Sequence, residues 1–367
     1  MKLLVSAGEA SGDQRGAEVV QALQLLSGVQ IDTFGLGGNK LAASGMTITH
    51  DLRHYSVMGF GEILSSLPRF IALSNDLKAL CIKEKPDCIL LVDYPGFNMR
   101  LGKWAKKKGF RVVHYVAPQM WAWGSWRVAG LVKSTDLLLT LFPFEEAFFR
   151  ARGVNAVFTG HPLASSTQPV SPGGRALGLL PGSRAQEVEK LLPAMLDTFA
   201  VLRERGIATR ALLAVSDHLN GELYADAVKT PGVELVEGTA KVLAGSRAAL
   251  VCSGTATLEA ALSCVPFVVC YKTGSITYFL AKNLVKGVDR IGLANIVAGE
   301  DVAPELIQNT LTTSNMVSCL EPFFLSDSVY DLTRNKLSMI RNALGEGSPA
   351  ENAAREILRF LKETSES

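Results

Sequence analysis

The 367-residue chain has little of what marks several large protein classes. Its formal charge is only +2, so no global attraction to nucleic acid exists and any basic preference must be local. No run of about 18 uncharged apolar residues occurs, which excludes a transmembrane helix. The apolar start Met1–Ser6 gives way at once to Gly8, Glu9 and Gly12, too soon for a secretory core segment, so the cytoplasm is the expected location. Cysteine is scarce and scattered. Cys81, Cys88, Cys252, Cys264, Cys270 and Cys319 form no CxxC pair, and no Cys/His cluster has zinc-ligand spacing. They read as small buried hydrophobes in a reducing compartment.

What is present is apolar material for two cores: 48% of residues are hydrophobic, and the length suits two domains at a prior of ~100–200 residues each. Short apolar runs alternate with amphipathic stretches throughout. Lys2–Ser6, Ile31–Leu36, Cys88–Val92, Arg111–Val116, Asp136–Leu141 and Ala156–Thr159 read as strands, with a helix from about Gly12 to Leu26. A second series follows: Ala176–Leu180, Leu212–Val215, Val233–Val236, Ala248–Cys252 and Pro266–Tyr271, with a helix over Glu187–Arg205. Uniformly apolar strands separated by helices indicate parallel sheets covered on both faces. The fold class is therefore α/β, with two doubly wound units, residues 1–164 and 175–345. Ser165–Gly174, poor in large apolar residues, reads as the linker, and an amphipathic helix within about 346–367 is expected to pack back onto the first unit. Open parallel sheets bind ligands beyond their strand carboxyl ends, so the chemistry is expected just after strands, in a cleft that the two units face.

Leu180-Pro-Gly-Ser-Arg184 follows one strand and precedes a long helix. Gly182 lets backbone approach a ligand, Ser183 reads as a helix cap, and Arg184 suits a diphosphate. An ordinary capped turn with a solvated arginine is the plainer alternative. Cys252-Ser-Gly-Thr-Ala-Thr-Leu-Glu259 repeats the arrangement. Ser253, Gly254 and Thr255 offer donors to phosphate oxygens, and Glu259 can accept both hydroxyls of a ribose. Alternatively Thr255 caps the helix and Glu259 complements its dipole. Either loop alone is weak; two in one unit are much stronger.

In Ala7-Gly-Glu-Ala-Ser-Gly-Asp13 the phosphate-loop signatures G-x-G-x-x-G and G-K-[ST] are both missing. Glu9 and Asp13 would repel a diphosphate, so the loop suits neutral hydroxyls, with Ser11 as a plausible N-cap. In Val92-Asp-Tyr-Pro-Gly-Phe-Asn98, Asp93 closes a strand. Partial desolvation would raise its pKa and suit it to act as a general base; a turn aspartate is the alternative. Asn98 either bonds a sugar or caps the next helix. Trp121 and Trp123 line a sugar or lipid path or fill the core, and His114 and His161 end strands. Ile63, Leu64, Leu67, Phe70 and Ile71 share helical spacing, with Phe60 upstream and Pro68 arguing for a start or break inside the run. This stripe is either core or an apolar patch that meets lipid. Lys103, Lys106, Lys107, Lys108 and Arg111 form a basic cluster that attracts anionic lipid or simply faces solvent.

Taken together, AGEASGD at 7–13, VMGFGEIL at 57–64, HYVAPQMWAW at 114–123, LFPFEEAFF at 141–149, GHPL at 160–163, PGSR at 181–184 and SGTATLEAAL at 253–262 resemble the lipid A disaccharide synthases. The resemblance implies a GT-B fold, a UDP-linked diacylglucosamine donor and a diacylglucosamine 1-phosphate acceptor. It implies no metal and no cofactor, and a peripheral place on the inner face of the bacterial inner membrane; a homodimer stays open. It matches Glu9, Asp93, Arg184 and Glu259 to the family's catalytic and nucleotide-binding positions, and Asn295 to an asparagine in a nucleotide-side segment. Ala294 stands where the family has proline, Gly96 where it often has a second aspartate, and Gly124 where it has arginine, with Arg127 nearby. The remaining readings are another GT-B enzyme, such as a lipid-linked N-acetylglucosaminyltransferase or a UDP-sugar 2-epimerase, and a non-catalytic UDP-sugar or lipid-binding protein.

Overall fold

The structure is a computed structural model that describes residues 1–55, 62–122, 124–171, 174–216, 218–273 and 290–364, with side chains of the Glu62–Glu84 helix described from Leu67 on. It divides into two compact units, Met1–Pro162 with Gly347–Ser367, and Leu163–Glu346.

The first unit is built on β1 (Lys2–Ala7), β2 (Asp32–Gly37), β3 (Thr47–Asp51), β4 (Cys88–Val92), β5 (Val112–Tyr115), β6 (Leu137–Thr140) and β7 (Ala156–Phe158). Their order is β3-β2-β1-β4-β5-β6-β7, every pair parallel. The central strands are apolar along their length because helices cover both faces; β4 is buried at all five positions. Leu4, Ile89 and Leu91 pack against Leu73 and Leu77 of the Glu62–Glu84 helix and Leu101 of the Pro95–Lys107 helix. Strand order reverses between β1 and β4, whose register pairs Ala7 with Val92. The loops holding Glu9 and Asp93 therefore leave the sheet side by side.

The second unit carries β8 (Ala176–Leu180), β9 (Arg210–Val215), β10 (Val233–Glu237), β11 (Ala248–Cys252), β12 (Phe267–Tyr271) and β13 (Glu305–Ile307), in the order β10-β9-β8-β11-β12-β13, all parallel. Leu177, Leu179 and Leu250 pack against Val188, Met195 and Phe199 of the Ala185–Glu204 helix. The reversal lies between β8 and β11, and register pairs Leu180 with Val251. The two small-residue loops thus share one switch point.

Strands β3 and β13 are absent from the sequence reading. Both are edge strands, and Thr-Ile-Thr-His-Asp is half-exposed along its length, so no apolar run marks it. The expected break at Pro68 does not occur. The helix runs through it, at the cost of one backbone bond on an exposed side. Nor is Ser165–Gly174 a free tether. Arg341 donates to the carbonyls of Ala164 and Thr167, Arg334 to that of Val170 at 2.9 Å, and Val170 N–H donates to Ser263 at 3.0 Å. All of these partners lie in the second unit, and Pro162–Ser166 is helical.

The Pro349–Glu363 helix belongs to the first unit. Ser348 caps it, and Ala350, Ala353, Ala354, Ile357 and Leu361 form its buried stripe against the Ala10–Ser27 helix. Asn352 ties it to the Thr159 carbonyl at 3.1 Å.

Candidate functional site

In the second unit, the loops after β8 and β11 enclose a cavity of about 390 Å³. Gly182, Ser183, Arg184, Ser253, Gly254, Thr255 and Glu259 all line it, so seven of the residues singled out from sequence come together. Gly182 has φ +112, and a Cβ there would collide with the Glu187 carboxylate. Glu187 holds the loop: it accepts the Arg184 N–H at 3.3 Å and pairs with the Arg184 guanidinium at 2.7 Å. Arg184 itself is the N-cap residue of the Ala185–Glu204 helix, so Ser183 is not the cap.

Across the switch point Gly254, at φ +148, is the N-cap residue of the Thr255–Leu262 helix. Thr255 is therefore the first helical residue rather than the cap, and the first residues of that helix, Thr255 and Ala256, line the cavity. The Ser253 hydroxyl donates to the Ile291 carbonyl at 3.1 Å, leaving its lone pairs and not its proton for a ligand. Glu259 is half-buried; burial raises its pKa, and the Thr239 hydroxyl beside it works the other way. Ser216, Gly238 and Thr239 complete the wall. They were missed, although each directly follows β9 or β10, where the strand-end argument already points.

Asn295 is not at this cavity. It is fully buried, its amide donates to Ala303 and to Glu305 at 2.8 Å each, and its oxygen accepts from Val302 and Ala303. Every bonding position is spent on pinning the 302–305 turn, so its expected nucleotide contact is replaced by a structural role.

In the first unit, Glu9 and Asp93 meet at the other switch point. Asp93 and Tyr94 both have φ 51, two consecutive non-glycine residues in the left-handed region. Such residues cost roughly 1–3 kcal/mol each and persist where their surroundings over-determine them. Three bonds do so here. Asp93 N–H donates to Tyr115 at 2.9 Å, Tyr94 N–H donates to Asp93 Oδ1 at 2.9 Å, and Asn98 Nδ2 donates to the Asp93 carbonyl at 2.8 Å. Burial first, and the Asp93 charge second, raise the pKa of the neighbouring Glu9 carboxyl.

Several expectations for this loop are corrected. Asn98 is fully buried and also bonds the Ser6 hydroxyl and the Ser6 and Val92 carbonyls, so it neither caps the helix nor reaches a sugar. Asp13 is buried too, accepting the N–H groups of Gly38, Lys40 and Leu41. Ser11 lies inside the Ala10–Ser27 helix on an exposed face; the N-cap residue is Glu9, whose side chain makes no capping bond.

Glu9 opens onto a second cavity, about 770 Å³ and mostly apolar. Leu67, Phe70, Ile71, Tyr94 and Phe97 line it, together with Lys78 and Arg100. The rings of Phe70, Tyr94 and Phe97 pack at 5.9 to 6.4 Å. Gly8 is required beneath them, because a Cβ there would overlap the Tyr94 ring. The Ile63 and Leu64 side chains, Phe60 and Trp123 lie outside the described residues.

The aromatic motifs meet elsewhere in this unit. Trp121 Nε1 donates to Glu145 at 3.0 Å, and Glu145 also accepts from Leu141 and Phe142. Burial pushes the Glu145 carboxyl up to about 7. His114 and His161 are buried, pushed down to about 4, and line neither cavity. Lys106 is spent on Asp136 at 2.9 Å, and Arg111 on the Leu361 carbonyl at 3.3 Å, leaving Lys103, Lys107 and Lys108 on the exposed face.

Two doubly wound parallel sheets, the second with a cavity at its switch point, define the GT-B fold class. The same fold is found in CalG4, the calicheamicin glycosyltransferase (TM-score 0.64, 15% identity, 99% of this chain and 98% of that one). It also recurs in the UDP-GlcNAc 2-epimerase from Neisseria meningitidis (TM-score 0.60, 13% identity, 99% and 100%). The chain belongs to the lipid-A-disaccharide synthase family. The family model, lipid-A-disaccharide synthetase, matches residues 3–336. Lipid-A-disaccharide synthases from Geobacter metallireducens (36% identity, 98% of this chain and 97% of that one) and Koribacter versatilis (35%, 98% of each) align over nearly the whole length. The epimerase likeness is one of fold alone.

Proposed function

We propose that the chain transfers diacylglucosamine from a UDP-linked donor to the 6-hydroxyl of a diacylglucosamine 1-phosphate, giving the β-1,6-linked disaccharide 1-phosphate and UDP. The observation that carries this reading is the switch-point cavity of the second unit, where an arginine, a helix amino terminus and a carboxylate converge. Glu259 accepts the ribose hydroxyls. The N–H groups at the start of the Thr255–Leu262 helix and the Arg184 guanidinium take up charge on the departing diphosphate. In the first unit Asp93 receives the proton of the acceptor hydroxyl as its oxygen bonds to the donor C1 and the bond from C1 to the diphosphate oxygen breaks, with inversion. Glu9 orients the same hydroxyl. Its raised pKa also supports a second reading, in which Glu9 is the base and Asp93 keeps it poised.

The reading includes peripheral contact with a bilayer face, supported by Leu67 (46% exposed) and Ile71 (55% exposed) on the cavity of the first unit. No described helix is long and apolar enough to cross a membrane. The test is incubation with diacylated UDP-glucosamine and diacylated glucosamine 1-phosphate, read by product mass. UDP release without the disaccharide sinks the reading. Asp93→Asn is expected to abolish turnover and keep UDP binding; near-normal turnover removes Asp93 as the base, and a loss confined to Glu9→Gln assigns that role to Glu9.

A further inference from the structure

We propose that the apolar cavity of the first unit seats the acceptor's phosphate monoester between Lys78 and Arg100, and that this contact turns the acceptor's 6-hydroxyl toward the Glu9–Asp93 turn. The proposal rests on the acceptor reading above and names the part of the site that selects it.

The cavity wall formed by the Glu62–Glu84 helix has a chemical gradient. Leu67, Phe70, Ile71, Ser74, Asn75 and Lys78 recur at spacings of three and four and so share one face. Along it the lining changes from apolar through neutral polar to cationic over about 16 Å, at 1.5 Å per residue. The facing Pro95–Lys107 helix repeats the change, with Phe97 followed one turn later by Arg100. Among the described residues no carboxylate pairs with Lys78 or Arg100. This contrasts with Lys106 of the same unit, which is fully spent on Asp136 and two carbonyls.

A single amphiphile fits this order: acyl-bearing carbons against Leu67, Phe70 and Ile71, and a compact anion at the cationic end. A phosphate monoester has oxygens enough for the fork of one guanidinium and one ammonium together. Among the described residues Glu9 is the one acid lining the cavity, and it lies beside Tyr94 at the strand end. Along the Glu62–Glu84 helix Lys78 stands at the far end of this face from Leu67, so an anion is drawn to the Lys78 end. In a glucosamine 1-phosphate the phosphate on C1 and the hydroxymethyl group on C5 flank the ring oxygen, so fixing the first limits where the second can reach. Anchoring the first aims the second at the carboxyls.

The test uses the full chain saturated with UDP. Binding of diacylglucosamine 1-phosphate in detergent is compared with binding of the same lipid without its phosphate. Wild type is expected to prefer the phosphorylated lipid by about tenfold or more, the worth of one or two partly exposed charge-assisted bonds. Lys78→Met with Arg100→Met is expected to bind both lipids equally, at the level of the phosphate-free one, with UDP affinity unchanged. Lys78→Arg with Arg100→Lys is expected to retain most of the preference. The proposal is overturned if wild type shows no preference, or if the double methionine variant keeps it. Transferase turnover of wild type is a separate readout. A preserved phosphate preference without any disaccharide product would refute the transferase reading and leave the phosphate seat standing.

Discussion

Replacing Asn98 with alanine tests whether the Asp93–Tyr94 turn is held from within. The Asn98 side chain is fully buried and engages four groups: the Ser6 hydroxyl at 2.7 Å, the Asp93 carbonyl at 2.8 Å, and the Ser6 and Val92 carbonyls at 3.2 Å. Its two amide hydrogens are shared among three carbonyls, so about three full bonds are lost. At roughly 1 kcal/mol net per bond the cost is about 3 kcal/mol, and stranded buried carbonyls push it upward. That is a large part of the ~5–15 kcal/mol that stabilises an ordinary domain. The same carbonyl bond restrains two residues in left-handed backbone, so the Asp93 carboxyl is expected to lose its fixed position. Turnover should then fall about 10- to 100-fold, as misplacement of a reacting group by about 1 Å does. UDP affinity, which the proposed function assigns to the second unit, should not change. Urea denaturation followed by a probe in the first unit, steady-state turnover and UDP titration on one preparation give all three numbers. An Asn98→Ala protein with an unmoved unfolding midpoint and normal turnover would refute the internal-pin argument outright.

Arg184→Ala should lower turnover by about 10²–10³, since the reading assigns that guanidinium to the departing diphosphate; a loss confined to donor KM would limit it to binding. Glu9 has a raised pKa, so its neutral form persists above the ordinary carboxyl range. The acid limb of kcat/KM should therefore include a group above 4.5 that Glu9→Gln removes, and an unchanged limb would reject that assignment. Glu145 is raised from 4.5 to about 7, so between those values the unfolded chain ionises while the folded one stays protonated. The stability of the first unit is expected to be full below 4.5 and to decline as pH rises through about 7, and Glu145→Gln should flatten that decline in a series of melts. Gly182→Ala should weaken UDP binding by at least tenfold, because φ +112 strains alanine and its methyl would displace Glu187; unchanged titration would show the loop to be plastic.

Much of this was legible without coordinates, because the signals are local. Apolar runs broken by helices announce a parallel sheet, and a strand ending in Pro-Gly-Ser-Arg or Ser-Gly-Thr announces a backbone turn open to a ligand. Those properties belong to a few consecutive residues, and the cavity of the second unit duly collects them. The edge strands escaped because β3 is polar and half-exposed and β13 is only three residues long.

Tertiary structure decided which polar residues face a cavity and which serve the fold. Asp13, Asn98 and Asn295 stand beside the right loops and carry suitable groups, yet each is turned inward onto backbone. A side chain that satisfies buried N–H groups and one that awaits a substrate have the same chemistry; only the packing around them separates the two. Lys78 and Arg100 show the converse. Twenty-two positions apart and unremarkable in the chain, they line one cavity because two helices flank the same strand, β4. Sequence carries the local conformations; which distant residues end up sharing a wall is settled when the helices close on the sheet.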